Sequence, residues 1–333
     1  MRARERGPAV KTVLLNQPVS GKALCIFEGK ATVVTAPDPS RDTVAGLLKE
    51  ADGMVLRTMT YIDAAMIASA PGLKVISRTG IGVDNVDVAA ATRHGVMVCN
   101  VRGVNVTSVA EHTVSLVLAV AKALPFLDSN VRQGNWSCRN EHRPVELKGK
   151  QLGLVGMGRI GSRVAEILGR AFGMRVLAYD PYVTEDQFPA VEFCGLDALM
   201  SRADVVSVHL PSSAETRQLL NADLLARMKP SAFIVNTARG QVIDQEALAE
   251  ALAEHRIAGA GLDVFEEEPF PADSRLASLS NVILTPHAAA LTEECVTETA
   301  VRACRSVLDV LEGREPESVV NRDALREGTH GAR

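Results

Sequence analysis

The stretch Leu152–Asp180, LGLVGMGRIGSRVAEILGRAFGMRVLAYD, constrains the fold of this chain more than any other part of the sequence. Its pattern is a short apolar strand, a glycine turn, a helix, and a second apolar strand that ends in an acid. Gly156 permits a tight turn, Gly158 lets a pyrophosphate approach the main chain, and Gly161 lets the helix pack closely on the strand. Asp180 follows the last glycine by about 20 residues, where an acid hydrogen-bonds an adenine-ribose 2′-hydroxyl. The stretch therefore predicts a dinucleotide-binding unit.

The length and charge of the chain limit the remaining possibilities. A chain of 333 residues predicts two domains, because single cores usually stop growing at about 250–300 residues. A net charge of −4 argues against a nucleic-acid partner, since binding to phosphates requires a cationic surface. The six cysteines form no C-x-x-C pair and no His/Cys cluster at metal spacing. We therefore expect free thiols, no metal site and a reducing compartment, with a cytoplasmic location.

Two stretches could be mistaken for membrane or targeting segments. The N-terminal MRARERGPAVK is basic but has no apolar segment, so we expect a tail and not a secretory signal. The apolar run Val114–Ala121 is shorter than the about 20 residues of a membrane span, so it predicts a buried helix and no membrane partner.

Residues 11–100 alternate short apolar runs with helix-like segments, and this predicts a parallel sheet with crossover helices. The expected strands are KTVLLN, ATVVTA, GMVLR, LKVIS and VMVCN. Arg57 follows the third strand, and Arg78 with the turn Gly80–Ile81 follows the fourth. Ligands of open α/β sheets lie beyond the carboxyl ends of strands, so these residues are candidates for substrate binding.

The second half of the chain continues the alternation to six strands, which suffice for a full dinucleotide-binding domain. A long buried helix is expected over Asn105–Leu127, with Thr107 or Ser108 as its N-cap. The polar passage Ser129–Lys150, which contains the only tryptophan, is expected to be a connection that packs down. An amphipathic helix is expected over Thr292–Leu311.

Three passages that follow strands in this half carry reactive side chains: NTARG, LDVFEEEP and TPHAAALT, at positions 236–240, 262–269 and 285–292. Reduction of a carbonyl by hydride needs a cation that binds the substrate, a proton donor, and a group that sets the pKa of that donor. Arg239 suits the first role and His287 the second. An acid beside the histidine favours the imidazolium, and Glu266, Glu267 or Glu268 could supply it.

These passages, with VGMGRIG, RTGIGVDNVD and SVAEHT, resemble the NAD-dependent D-2-hydroxyacid dehydrogenase family, and their wording is closest to its short-form D-3-phosphoglycerate dehydrogenases. The resemblance implies that Arg239, Glu268 and His287 are catalytic. It further implies that Arg159 and Ile160 contact the pyrophosphate, that Asp180 holds the ribose, and that Asp263 approaches the nicotinamide amide. The full set expected to bind the cofactor is Gly156, Gly158, Arg159, Ile160, Gly161, Asp180, Leu210, Pro211, Thr237, Ala238, Asp263, His287 and Ala289.

The resemblance also implies the domain organisation. We expect an α/β chain of two doubly wound parallel-sheet domains, in which a Rossmann NAD-binding domain (105–290) is inserted in a flavodoxin-like substrate domain (1–104, completed by 291–333). The substrate is expected to contact Arg57, Arg78, Gly80, Ile81 and Arg239. The chain departs from the family at NVRGVN, where Arg102 replaces a proline, and at TPHAAA, where alanines follow the histidine. A C-terminal effector domain is not expected.

The function that follows is hydride transfer between NAD and the second carbon of a small, anionic D-2-hydroxy acid or 2-keto acid, by a homodimeric enzyme. Asp180 favours NAD, because it repels the 2′-phosphate of NADP. Arg57, Arg78 or Arg102 is expected to recognise a second anionic group of the substrate. An alternative on the same scaffold is a co-repressor, in which NAD controls binding to protein partners.

Overall fold

The computed structural model describes residues 10–141 and 143–330, so most of the predicted N-terminal tail lies outside the described residues. The chain divides into two compact units, Met1–Asn105 with Thr292–Arg333, and Val106–Leu291. The expected domain limits differ from this division by one residue at each boundary.

The first unit contains a parallel sheet of five strands in the order β2-β1-β3-β4-β5, which is the flavodoxin-like order that was predicted. Its strands are β1 (Lys11–Leu15), β2 (Ala31–Thr35), β3 (Gly53–Leu56), β4 (Val75–Arg78) and β5 (Met97–Cys99), and the helices between them are α1 (Gly21–Leu24), α2 (Arg41–Leu48), α3 (Ala64–Ala68) and α4 (Val88–Arg93). All four residues of the central strand β3 are buried, as expected for a sheet covered on both faces. Three helix starts are capped by side chains, those of Ser40, Asp63 and Asp87.

The second unit contains a parallel sheet of seven strands in the order β12-β11-β10-β9-β6-β7-β8, which extends the Rossmann order by one strand. The strands are β6 (Gln151–Val155), β7 (Arg175–Tyr179), β8 (Val191–Phe193), β9 (Val205–Val208), β10 (Phe233–Asn236), β11 (Gly259–Leu262) and β12 (Val282–Leu284). The helices are α5 (Val106–Ala121), α6 (Leu124–Arg132), α7 (Arg159–Phe172), α8 (Leu196–Arg202), α9 (Ala222–Leu225) and α10 (Gln245–Ala253). Six strands were predicted; the edge strand β8 was missed because its three residues are half-buried or exposed and form no apolar run.

The predicted helix Asn105–Leu127 begins within one residue of α5 but does not run unbroken to Leu127. The structure has two helices, α5 and α6, bent by 59°. Ala123 has a left-handed φ of 51°, and Pro125, in the first turn of α6, has no N–H to continue the hydrogen bonds of α5. Thr107 and Ser108 lie inside α5 and do not cap it. The prediction of a single helix fails because a new helix, with Pro125 in its first turn, starts after Ala123.

The passage after α5 also differs in part from its prediction. Part of it belongs to α6, and Trp136 is 68% exposed, but Cys138 and Leu147 are only 2% and 4% exposed, so the later part of the passage packs down as predicted. The predicted burial of Val114–Ala121 is correct, since most side chains of this run lie in the core of the unit. Within the described residues, no single helix is long and apolar enough to cross a membrane, and α5 with α6 reaches that length only as a bent pair.

The end of the chain completes the first unit. Helix α11 (Glu293–Leu311) is capped by Thr292 and buries Ala303, Cys304 and Val307 in the core that contains β1 and β3. Helix α12 (Arg322–His330) follows a segment in which Val319 forms an antiparallel bridge with Cys99.

Candidate active site

The glycine turn after β6 has the geometry that its sequence predicts. Gly156 has a φ of 103°, which side-chain-bearing residues rarely adopt, and a Cβ on it would lie 2.9 Å from the carbonyl group of His209. A Cβ on Gly161 would lie 2.3 Å from the carbonyl oxygen of Gly156. Both positions therefore require glycine, because a side chain at Gly161 would push α7 away from the turn and one at Gly156 would collide with the main chain after β9.

The start of α7 can hold a pyrophosphate. Gly158 is the N-cap of α7, provides no side-chain cap, and is exposed. A Cβ on Gly158 would meet no atom within 4 Å, so the space beside the turn is open. The first N–H groups of α7, including those of Arg159 and Ile160, have no intrahelical acceptor and attract anions.

Asp180 is tied to the same turn. Its Oδ2 accepts a hydrogen bond of 2.8 Å from the N–H of Met157, and its Oδ1 accepts one of 2.9 Å from the N–H of Tyr182. The carboxylate is half-buried and oriented by these two bonds, and a carboxylate has further lone pairs for ribose hydroxyls. The residues at this turn therefore fit the ribose and pyrophosphate of a dinucleotide.

The loop after β9 covers the other side of the glycine turn. A Cβ on Gly156 would lie 3.0 Å from Cδ2 of Leu210, and Pro211 is exposed in the same loop. His209 contacts the Ser207 hydroxyl at 2.9 Å through Nε2. Desolvation of the imidazole lowers the pKa of His209 to about 4, so this histidine is neutral at pH 7 and is a structural group beneath the turn.

The three reactive passages follow β10, β11 and β12, which are neighbours in the sheet. Their carboxyl ends lie at one edge because the strands are parallel. Asn236, 1% exposed at the end of β10, accepts from the N–H of Ala238 and donates to the carbonyl of Arg239. The Arg239 guanidinium donates to the carbonyl of Ala238 at 2.7 Å. The turn that carries Arg239 is thus shaped by a buried amide.

Of the three glutamates, Glu268 is the one paired with His287. Its Oε2 lies 2.7 Å from Nδ1 of His287, and its Oε1 accepts from the N–H of Phe265. Burial raises the pKa of Glu268, but the hydrogen bond and charge of His287, the N–H of Phe265 and the charge of Arg239 outweigh it, so the pKa lies below its usual value. An ionised carboxylate only accepts hydrogen bonds, so Nδ1 carries the proton and Nε2 is the atom of His287 that can exchange one.

Asp263 organises the turn that carries His287. It is 0% exposed, and its carboxylate accepts from the N–H groups of Ala288 and Ala289 and from the hydroxyl of Thr285. Its carbonyl accepts from the N–H of His287, which has a left-handed φ of 53°. The Asp263 carboxylate is therefore hydrogen-bonded to the main chain of the turn that carries His287.

Helix α5 contributes two contacts to this site that the sequence did not predict. Nε2 of His112 lies 3.1 Å from the Thr285 hydroxyl and 3.5 Å from Oδ1 of Asp263. The buried hydroxyl of Thr113 lies 2.8 Å from that of Thr237, in the turn after β10. The adjacent His112 and Thr113 in SVAEHT therefore contact all three passages, and this role was not evident from their place inside an apolar helix.

Four of the five predicted substrate residues, all except Arg239, lie in the first unit, at the carboxyl ends of β3 and β4. The guanidinium of Arg57 donates to the carbonyl of Pro18, and that of Arg78 donates to the carbonyl of Thr79. The N–H of Gly80 donates to the carbonyl of Arg78, so it is engaged inside the turn. Asn100 donates to the carbonyl of Ile81 at 2.7 Å and accepts from Ser318, so the C-terminal segment supports this loop. Arg102 is exposed after β5.

The second unit is therefore a dinucleotide-binding domain with an arginine and a histidine–glutamate pair at the ligand edge of its sheet. Residues 114–289 match the description "D-isomer specific 2-hydroxyacid dehydrogenase, NAD binding domain". The chain belongs to the D-isomer specific 2-hydroxyacid dehydrogenase family, and its second unit is the NAD-binding domain.

Named relatives agree with this assignment. The chain is 40% identical to a glyoxylate reductase of Thermofilum pendens, over 86% of each protein. It is 39% identical to a D-3-phosphoglycerate dehydrogenase of a Synechocystis strain, over 93% of this chain but only 56% of that enzyme. A crystal structure of a Thermus thermophilus protein shares the fold with a TM-score of 0.86 and 38% identity, over 93% of this chain and 99% of that one.

Proposed function

We propose that this protein is an NAD-dependent enzyme that interconverts small, anionic D-2-hydroxy acids and 2-keto acids. The observation that carries the proposal is the 2.7 Å contact between His287 and Glu268 at the sheet edge that also presents Arg239, in an NAD-binding domain of this family. The relatives named above are a dehydrogenase and a reductase, so they lend no support to a co-repressor role.

The proposed roles of the side chains follow from their chemistry. Arg239 binds the carboxylate and the keto oxygen of the substrate, because a guanidinium offers several N–H donors in a fixed fork. Nε2 of His287 gives a proton to that oxygen in reduction and takes it back in oxidation. Glu268 accepts the hydrogen bond of Nδ1 and so orients the imidazole. The bound nicotinamide supplies or accepts the hydride.

The substrate class is proposed from the first unit. Arg57 follows β3, Arg78 ends the neighbouring β4, and Arg102 follows β5, next to β4 in the sheet. Three cations at one sheet edge suit a substrate that carries a second anionic group besides the carboxylate of its 2-keto acid. This second group could be a phosphate, a sulfonate or another carboxylate. The main chain around Gly80 and Ile81 is proposed to contact the first carboxylate.

A screen of three-carbon 2-keto acids with NADH tests the function. Phosphorylated, sulfonated and unsubstituted compounds are compared by the loss of NADH absorbance, and the product is analysed on a chiral column. We expect the product to be the D-hydroxy acid. We expect kcat/KM to be at least about tenfold higher for a substrate with a second anion than for one without, because one hydrogen bond to a charged group contributes about that much. If NADH binds but no 2-keto acid is reduced, the proposed activity is wrong.

The preference for NAD is proposed from Asp180. Replacing Asp180 by Ala removes the ribose acceptor and the charge that repels a 2′-phosphate, so NADH is expected to bind at least about tenfold more weakly while NADPH loses less. Fluorescence titration of both cofactors measures this. Equal losses would contradict the ribose assignment, since the bond from Met157 to Asp180 is lost for both cofactors alike.

We also propose a homodimer and a cytoplasmic location. In support of the dimer, α6 buries none of its side chains, and Leu124, Val131 and Trp136 on α6 and the adjoining turn are 52%, 50% and 68% exposed. In support of the location, all six cysteines are free thiols. Light scattering after size-exclusion chromatography tests the dimer, and a monomeric mass would contradict it.

A further inference from the structure

The turn after β7 carries an exposed tyrosine, Tyr182, two residues after Asp180, the proposed ribose acceptor. The N–H of Tyr182 donates to Oδ1 of Asp180 at 2.9 Å, which closes a tight turn around Pro181. Tyr182 is 84% exposed, although aromatic side chains usually bury much of their surface. Its position is therefore set by the turn and by its hydroxyl, not by a hydrophobic core.

The hydroxyl of Tyr182 donates to Oε2 of Glu215 at 3.3 Å. Glu215 lies in the loop after β9, where the neighbouring Thr216 hydroxyl donates to the carbonyl of Pro211 at 2.7 Å and accepts from the N–H of Ser213 at 2.8 Å. The negative charge of Glu215 is the main cause of a raised pKa of Tyr182. The glutamate is thus held by a tyrosine and by a hydrogen-bonded loop.

The sheet topology places this contact over the dinucleotide turn. The strands β9 and β7 flank β6, whose carboxyl end carries Gly156 and Gly158. Adjacent strands lie about 4.8 Å apart, so the loops after β9 and β7 are separated by roughly 10 Å across the end of β6. A tyrosine side chain that starts beside Asp180 and reaches Glu215 spans that gap. The loops that carry Asp180 and Glu215 therefore lie on opposite sides of the carboxyl end of β6.

We propose that Glu215 is a specificity-determining residue that disfavours cofactors with a 2′-phosphate, and that Tyr182 is the residue that positions it. This rests on the proposed preference for NAD. A 2′-phosphate carries nearly two negative charges, and it would enter between Asp180 and a second fixed carboxylate. A cofactor with a free 2′-hydroxyl meets no such repulsion, so the effect of Glu215 falls on NADP alone.

Binding of NADH and NADPH to the full-length protein, measured by fluorescence titration without substrate, tests the proposal. Glu215→Gln keeps an oxygen that accepts from Tyr182 but removes the charge. We expect its Kd for NADPH to fall about three- to tenfold and its Kd for NADH to change less than about twofold, as Coulomb repulsion over this range predicts. Tyr182→Phe keeps the ring but removes the hydroxyl that holds Glu215. Its Kd for NADPH is therefore expected to fall less, by about two- to threefold.

Salt and a matched variant separate charge from other effects. At about 1 M salt the gain in NADPH binding should largely vanish, because the Debye length falls to about 3 Å. Asp223→Asn removes an exposed acid at the start of α9 and should leave both Kd values unchanged. The inference is overturned if Glu215→Gln leaves the ratio of the two Kd values unchanged, or if its effect persists at high salt.

The variant Asp180→Ala keeps this inference distinct from the proposed NAD preference. If Asp180→Ala changes the ratio of the two Kd values and Glu215→Gln does not, the preference for NAD stands and the role of Glu215 is wrong. If Asp180→Ala leaves the ratio unchanged, the NAD preference itself is wrong, and with it the inference that rests on it.

Discussion

Replacing His287 by Asn is expected to lower kcat by about 10²- to 10⁴-fold, the usual contribution of a positioned acid–base group. Asparagine tolerates the left-handed conformation that His287 adopts, with a φ of 53°, so the turn after β12 should keep its shape. The Kd for NADH is therefore expected to change little. Steady-state rates with the best keto acid, together with NADH titration, measure both quantities.

His255 offers a matched control. It is exposed, has the same φ of 53°, and precedes the amino end of β11, at the opposite edge of the sheet from His287. His255→Asn should keep full turnover. Wild-type turnover in His287→Asn would falsify the assignment.

Replacing Gly240 by Ala is expected to destabilise the protein by about 3 kcal/mol or more and to abolish activity. A Cβ on Gly240 would lie 1.9 Å from the carbonyl carbon and 2.1 Å from the carbonyl oxygen of Phe265. Main-chain atoms cannot rotate away as a side chain can, so the two loops must separate. One of these loops carries Arg239 and the other carries Glu268, so the proposed catalytic groups would move apart. Urea unfolding and steady-state kinetics measure the two effects.

Gly46→Ala is the control for this substitution. Gly46 lies inside α2, and a Cβ there would meet no atom within 4 Å, so alanine should stabilise the protein by about 0.5–1 kcal/mol. If Gly240→Ala unfolds at the wild-type urea concentration and retains its activity, the close approach of the two loops is not essential.

The regular elements were largely predictable, since buried parallel strands are short apolar runs between helical segments. The failures had local causes. The strand β8 has only three residues, none of them fully buried, and the break between α5 and α6 was overlooked because the apolar pattern continues past Ala121 towards Pro125. The side chains of Asn221 and Asp244 cap α9 and α10, because their oxygens accept from N–H groups of the first turn.

The sequence by itself determined the dinucleotide turn and its acid, because Gly156, Gly158, Gly161 and Asp180 act through local backbone geometry over a single βαβ unit. It also placed Arg239 and His287 after strands. The resemblance implied Glu268, and the tertiary structure showed its contact with His287. Only the tertiary structure showed that His112 and Thr113 brace the loops and that Tyr182 reaches Glu215. Those contacts join residues far apart in the chain, and a distance of 2.7 Å between two side chains depends on how neighbouring strands and loops pack, which no local pattern specifies.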